Sequence, residues 1–349
     1  MRILHLLASN QFSGAENVVC QIISMFKHED IEFVYSSQDG LIRKALAERN
    51  IDFEPLQRMS ISEFKRVIKK VRPDIIHAHD MGASFYASLS CGKIPLISHI
   101  HNNNFNSRGL SVKSVAYLVA ALKVKHIFWV SQSSFCGYAF HGLLKNKSSI
   151  LYNVIDVQAL YRKMEMDTSE YHYDVVFVGR LAYPKNPALL MKVIALSATK
   201  YPKIKVAIVG DGDLKAQTID RCHALHLEQN VDFLGFRENP YKIMYDAKAL
   251  IMTSRWEGMP MCALEAVALG VPIVSTPTDG LKELLVDGET GFLSDDDNIL
   301  ADKLVELCKN KSLQRRMSKA SAEKAYEIND ISKYKQHLME EYGKNCCVG

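Results

Sequence analysis

Apolar residues in this chain fall in short unbroken runs, separated by longer segments whose apolar positions recur at helical spacing. Arg2–Leu6, Phe33–Ser36, Asp74–Ala78, Pro95–His99 and Lys125–Val130 read as strands. Runs that stay apolar at consecutive positions suit strands covered on both faces, as in parallel sheets. Helices are predicted near Ala15–Phe26, Leu41–Arg49, Ile61–Val71, Ser84–Cys91, Val112–Leu122 and Ser133–Phe140. Arg162 to His172 is polar and aperiodic and reads as a linker. Strands then resume at Val175–Val178, Lys205–Val209, Val231–Leu234, Ala249–Thr253 and Pro272–Ser275, and Asn298 to Gly343 reads as helices. This alternation predicts an α/β fold with two parallel sheets.

A chain of 349 residues exceeds one ordinary core, which agrees with two domains. No run of about 18 apolar residues occurs, so no membrane-spanning helix is expected. Eight cysteines include no C-x-x-C pair, which argues against zinc ribbons and redox motifs and fits a cytoplasmic protein with reduced thiols. Residues 1–170 carry 20 Lys or Arg against 15 Asp or Glu, while the remainder is close to neutral. Lys65, Arg66, Lys69, Lys70 and Arg72 cluster on one predicted helix. That cluster is either a solvated face or a surface for anionic lipid headgroups. No recognition motif accompanies the small basic excess, so nucleic acid is not an expected partner.

The chemistry concentrates in two loops. In Arg255-Trp256-Glu257-Gly258-Met259-Pro260-Met261-Cys262-Ala263-Leu264-Glu265-Ala266 two acids are separated by seven residues. Pro260 suits a helix start, and Gly270 with Pro272 ends the run. Glu257 is therefore expected on a loop and Glu265 one to two turns into a helix. The helix N-terminus suits a phosphate. The carboxylates are acceptor-only groups and suit hydroxyls of a sugar or ribose. Upstream, Gly179-Arg180-Leu181-Ala182-Tyr183-Pro184-Lys185-Asn186-Pro187 follows the strand Val175–Val178. Arg180 and Lys185 thus lie where open α/β sheets bind ligands, and two cations can neutralise a diphosphate without a metal. Gly210-Asp211-Gly212 follows another strand. Without a third glycine it is either the rim of a nucleotide pocket or a plain turn.

These segments together resemble the retaining GT-B glycosyltransferases of glycosyltransferase family 4. The resemblance is carried by Gly179-Arg180 with Lys185-Asn186, Gly210-Asp211-Gly212, the Glu257–Glu265 pair, Thr290-Gly291-Phe292-Leu293 and Phe12-Ser13-Gly14-Ala15-Glu16. It spans nearly the whole chain. Ile97-Ser98-His99-Ile100-His101-Asn102 is most similar to bacterial capsule and exopolysaccharide transferases. The resemblance implies a GT-B fold: two Rossmann-like parallel-sheet domains facing a central cleft. Residues 1–160 would form the acceptor domain, 161–173 a linker, 174–328 the donor domain, and 329–349 a helix crossing back to the first domain. The implied activity moves a hexose or N-acetylhexosamine from a nucleotide-sugar, foremost a UDP-sugar, to a hydroxyl of a glycan or polyprenyl-linked saccharide, with retention and without a metal or other cofactor. The setting would be cell-surface polysaccharide synthesis, in the cytoplasm or on the inner face of the membrane.

By the same resemblance, Arg180 and Lys185 stabilise the leaving diphosphate, Glu257 holds donor-sugar hydroxyls and Glu265 the ribose. Gly179, Gly210 and the Gly258, Met259, Pro260, Met261 backbone line the donor. Gly14 lets the backbone approach the diphosphate, although Ser13 stands where the family usually has a second glycine. His101 and Asn102 match the acceptor side, with His101 in the catalytic group. A nucleotide-sugar epimerase and a non-catalytic nucleotide-sugar-binding protein are the alternatives. His77, His79, His99 and His101 form two H-x-H pairs, but a zinc site needs three or four ligands with support, so no metal is expected there. His77, His79 and His99 are read as structural, with His99 and His101 on one strand face. Val112, Val115, Ala116, Val119 and Leu122 give one apolar helix face. Core packing is the first reading for it, and a membrane surface the second if the acceptor is lipid-linked.

Overall fold

The computed structural model describes residues 1–101 and 107–346. The chain forms two compact units: Met1–Asn153 with Ile331–Gly349, and Val154–Asp330. The first sheet contains β1 (Arg2–Leu6), β2 (Glu32–Ser36), β3 (Asp52–Phe53), β4 (Ile75–His79), β5 (Leu96–Ile100), β6 (Val124–Trp129) and β7 (Ser148–Ile150). The second contains β8 (Val175–Val178), β9 (Val206–Val209), β10 (Val231–Gly235), β11 (Ala249–Met252), β12 (Ile273–Ser275) and β13 (Gly291–Leu293).

Every strand pair is parallel. The orders are β3-β2-β1-β4-β5-β6-β7 and β10-β9-β8-β11-β12-β13. Both are the doubly-wound Rossmann order, in which the direction of winding reverses beside the first strand. The switch points are therefore β1/β4 and β8/β11. Leu4, Leu6, Ile76, Phe64, Ile127 and Trp129 belong to the first core, and Val175, Phe177, Ile194, Ile208, Ile251 and Leu304 to the second.

The short strands β3, β7 and β13 escape the sequence pattern, because two or three residues cannot display a period. The expected 161–173 linker begins instead as part of a helix, Val157–Met166, within the second unit. Val157, Leu160, Tyr161 and Met164 recur at helical spacing along it, with Leu160 and Met164 buried, a stripe that is cut in two when the segment is read from Arg162 onward. It is docked by the Tyr161 hydroxyl on the Ala268 carbonyl (3.2 Å) and by Asn239 Nδ2 on the Lys163 carbonyl (2.6 Å). The last helix, Ile331–Cys346, packs on the first sheet through Tyr342, whose hydroxyl lies 2.8 Å from His77 Nδ1.

The helix Val112–Ala121 corrects the core reading of its Val112/Val119 face. Tyr117, Ala120 and Ala121 point inward, while Val112 (88% exposed), Val115, Val119 (53%) and Leu122 (76%) face outward. The helix is apolar nearly all round, so periodicity alone could not choose the buried side.

One close approach shapes the loop after β11. A Cβ on Gly280, in the helix Asp279–Leu284, would lie 1.7 Å from the Gly258 carbonyl oxygen and 3.3 Å from Met259 Cα. A backbone cannot rotate away as a side chain can. Gly280→Ala is expected to lower unfolding free energy by about 1–3 kcal/mol, as for overpacking. Gly82→Ala, where the added Cβ meets nothing within 4 Å, should not destabilise. Urea unfolding reads both, and equal midpoints for the two variants would contradict the tight contact.

Candidate active site

The loops that leave the second switch point are laced together. After β8, Gly179 N donates to Val209 O (3.0 Å) and Leu181 N to Asp211 O (2.9 Å). Gly210 and Gly212 make this possible: a Cβ on them would lie 1.9 Å from Gly179 O and 2.3 Å from Leu181 O. Gly210 also has φ +147°, a region open to glycine. The two glycines thus have a packing role that spacing alone left open.

Tyr183–Lys185 then makes one 3₁₀ turn, and Asn186 at φ 51° leads into the helix Pro187–Lys200. This turn is tied to the segment after β11. Arg255 N donates to Pro184 O (2.8 Å), Thr253 Oγ1 to Lys185 O (3.0 Å), and Arg255 Nη2 to Asn186 Oδ1 (2.9 Å).

This lacing brings Lys185 and Glu257 together. Lys185 Nζ is 2.5 Å from Glu257 Oε1, and Ser254 Oγ donates to the same oxygen at 2.5 Å. Side chains are 20% and 11% exposed for Lys185 and Glu257. Burial works against the Lys185 ammonium, but Glu257 outweighs it and its pKa rises. Glu257 Oε2 has no hydrogen-bond partner among the described residues. Arg180 is exposed, close enough to Lys185 to oppose its charge, and among the described residues has no ion-pair partner. The pair is neutral as a unit, so Arg180 supplies the surplus positive charge. Ser254, Thr253, Arg255 and Gly280 were not singled out by the sequence pattern; their roles come from contacts with distant residues.

The helix Met261–Ala268 begins after Pro260, which sits at the N-cap and has no polar side chain to cap it. Gly258, Met259, Pro260 and Met261 are buried. Glu265 lies in the second turn, 8% exposed, and Tyr241 OH donates to its Oε1 at 3.3 Å. Burial pushes its carboxyl up to about 7, against a smaller downward pull from Tyr241 and Lys163.

At the first switch point, Ser13 N and Oγ donate to Glu16 Oε2 (3.1 and 2.5 Å), which anchors the start of the helix Gly14–Met25 and leaves Gly14 exposed in its first turn. Five histidines line one face of β1, β4 and β5. His5 Nδ1 is 2.8 Å from His79 Nε2, and His79 Nδ1 is 2.8 Å from His101 Nε2. Burial, with neighbouring imidazoles, holds His77, His79 and His99 well below the usual histidine range, and brings His5 to about 3; burial alone brings His101 to about 3. The rings are therefore neutral at pH 7. Among the described residues, His5 Nε2, His77 Nε2, His101 Nδ1 and both nitrogens of His99 are buried without a hydrogen-bond partner. Each such group costs about 1–3 kcal/mol. Asp80 Oδ1 accepts from His101 N (2.9 Å). Asn102 lies outside the described residues.

The sequence argument against a metal rested on a missing ligand set. The fold supplies one: His5/His77/His79 and His79/His99/His101 each offer three ligand atoms within 4.8 Å of one another. His5 went unnoticed because a single histidine in a strand carries no spacing signal.

The raised Glu265 pKa has a stability consequence. A carboxyl raised in the folded state binds protons that the unfolded state has released, so stability falls as pH rises from about 4.5 through 7. The loss amounts to about 3 kcal/mol over that window. Glu265→Gln should remove it, so urea midpoints of wild type and variant should diverge between pH 5 and 8. Parallel pH profiles would refute the buried-carboxyl assignment.

Residues 12–159 match the Glycosyltransferase Family 4 model, and residues 166–324 match the model described as Glycosyl transferases group 1. An N-acetyl-alpha-D-glucosaminyl L-malate synthase of Bacillus anthracis is 24% identical, over 79% of this chain and 76% of its own. A Campylobacter jejuni N-acetylgalactosaminyltransferase, whose name gives N-acetylgalactosamine-N,N'-diacetylbacillosaminyl-diphospho-undecaprenol as its acceptor, is 34% identical over 48% of this chain and 49% of its own. Among solved structures, Anabaena HepE in complex with UDP and glucose superposes with a TM-score of 0.86 at 21% identity, covering 99% of this chain and 100% of HepE. With two doubly-wound sheets, the GT-B fold of those neighbours, and a matching family model on each half, the chain belongs to the family 4, group 1 glycosyltransferases.

Proposed function

We propose that this glycosyltransferase moves a hexose or N-acetylhexosamine from a UDP-sugar to a hydroxyl of a glycan or lipid-linked saccharide in cell-surface polysaccharide synthesis, with retention of anomeric configuration. The observation that carries the reading is the cluster of Arg180, Lys185, Glu257 and Ser254 at the β8/β11 switch point. As the bond from the sugar to the diphosphate breaks, charge grows on the leaving oxygen. Arg180 and the two remaining Lys185 N–H donors meet that charge, with no metal needed on the diphosphate. Glu257 Oε2 accepts from a donor-sugar hydroxyl, and the Glu265 carboxylate accepts from the ribose. Amides around Gly258–Met261 and the helix terminus serve the sugar and phosphate edge. His101, with Asn102, orients the acceptor hydroxyl. That hydroxyl attacks from the side the diphosphate leaves, and its proton passes to a donor phosphate oxygen. The HepE complex supports the UDP-sugar, and the Campylobacter relative supports a lipid-linked acceptor. An epimerase would act on donor alone, so dependence of product on acceptor separates the two.

Arg180→Ala and Lys185→Ala should each lower turnover by roughly 10²–10³, the loss typical of one transition-state donor. Stopped assays with radiolabelled UDP-sugars read this directly, and wild-type turnover in either variant would overturn the diphosphate assignment.

The second proposal concerns where the acceptor is met. No helix among the described residues is long and apolar enough to cross a membrane. The outward face of Val112–Ala121, extended by Leu122 and flanked by exposed Lys113, Lys123 and Lys125, supports peripheral contact with an anionic bilayer. The Lys65–Arg72 cluster contributes less, since Arg66 and Lys70 are paired with Glu54 (2.7 and 2.6 Å). Flotation with anionic vesicles should occur at low salt, weaken at high salt, and be lost in Val115→Glu/Val119→Glu. No flotation at low salt would remove the membrane contact.

A further inference from the structure

Among the buried histidines, His99 is accounted for neither by hydrogen bonds to the described residues nor by the transfer reaction. β4 and β5 pair with His79 directly opposite His99, and His101 lies two residues beyond on the same face. Ring centroids are 5.5 Å apart for His79–His99, 5.1 Å for His79–His101 and 4.3 Å for His99–His101. His99 is fully buried, and among the described residues neither its two nitrogens nor His101 Nδ1 beside it has a partner. A neutral imidazole carries one lone pair and one N–H, so His99 offers one lone pair, and His101 Nδ1 is a second ring nitrogen beside it with no partner among the described residues.

We propose that His79, His99 and His101 bind one late first-row divalent transition ion. Imidazole sets select Zn²⁺, Cu²⁺ or Ni²⁺ over Mg²⁺ or Ca²⁺, which prefer oxygen. Three histidines leave a further coordination position open. The ligand atoms lie within 4.8 Å of one another. Zn–N bonds of about 2.0–2.1 Å bring tetrahedral ligands to roughly 3.4 Å apart, so ring shifts of about 1 Å close the set. The neighbouring group His5/His77/His79 is the weaker choice. Its members are all buried, and His5 Nδ1 and His77 Nδ1 are committed to His79 and Tyr342. His101 is only half-buried, which gives the chosen set a side open to solvent. Binding exchanges the His79–His101 hydrogen bond for bonds to the ion. Resting on the acceptor-side role proposed for His101, occupancy withdraws that ring from the acceptor, so the ion inhibits transfer rather than supporting it.

The test uses the tag-free full chain. Equilibrium dialysis against Zn²⁺, read by plasma mass spectrometry, should give one equivalent for wild type and for His77→Gln. His99→Gln should bind more than about 100-fold more weakly, beyond the 10–100-fold typical of supporting partners. Cu²⁺-loaded wild type should show bound-imidazole nitrogen couplings by pulsed electron paramagnetic resonance, which decides the matter if His99→Gln fails to fold. No Zn²⁺ retained by wild type, unchanged binding in His99→Gln, or Cu²⁺ without imidazole couplings would overturn the site. Zn²⁺ should inhibit transfer and EDTA restore it. Stoichiometric binding without inhibition would refute the inhibitory role and the acceptor assignment of His101, while leaving the metal site. Absence of transfer with any donor would refute the enzymatic reading without touching the dialysis result.

Discussion

The Lys185–Glu257 contact is the constraint on which the second unit's site depends. A largely buried lysine and glutamate are each costly alone; here they offset one another, and Ser254 adds a second donor to the shared oxygen. The pair sits where two loops from neighbouring strands are already tied by a backbone bond, Arg255 N to Pro184 O, and by the Thr253 hydroxyl donating to Lys185 O. Its charges are consequently fixed before any ligand arrives. Fixed charges need little reorganisation when new charge develops beside them, which is the basis of the role proposed for them. Because the pair cancels internally, the exposed Arg180 dominates the local field.

Glycines set the shape around that pair. Gly210 and Gly212 let the loop after β9 press against Gly179 and Leu181, and Gly280 lets a later helix press against Gly258. Each contact is backbone against backbone, so it positions the loop without spending a side chain. The first unit handles its switch point differently. There, imidazoles fill the C-terminal ends of β1, β4 and β5, and several ring nitrogens have no partner among the described residues. Stability is sacrificed at that place, which is the pattern expected of the proposed ion site.

The sequence by itself determined a good deal. The alternation of short apolar runs with helical stretches specified two parallel sheets, because burial on both faces leaves a readable signature in strands such as Val175–Val178. Local grammar marked the Glu257–Glu265 segment as loop then helix, and Arg180 and Lys185 as a loop beyond a strand end. What depended on contacts between distant residues was hidden. The unit boundary near Asn153 and the outward face of Val112–Ala121 turned on which side a segment buries, and a segment apolar nearly all round carries no phase. Only strand order brought Lys185 to Glu257 across 72 positions, Gly280 to Gly258, and His5 to His79 across 74. A chain records its local periods in neighbouring residues, whereas a site at a switch point is assembled by the order in which strands pair.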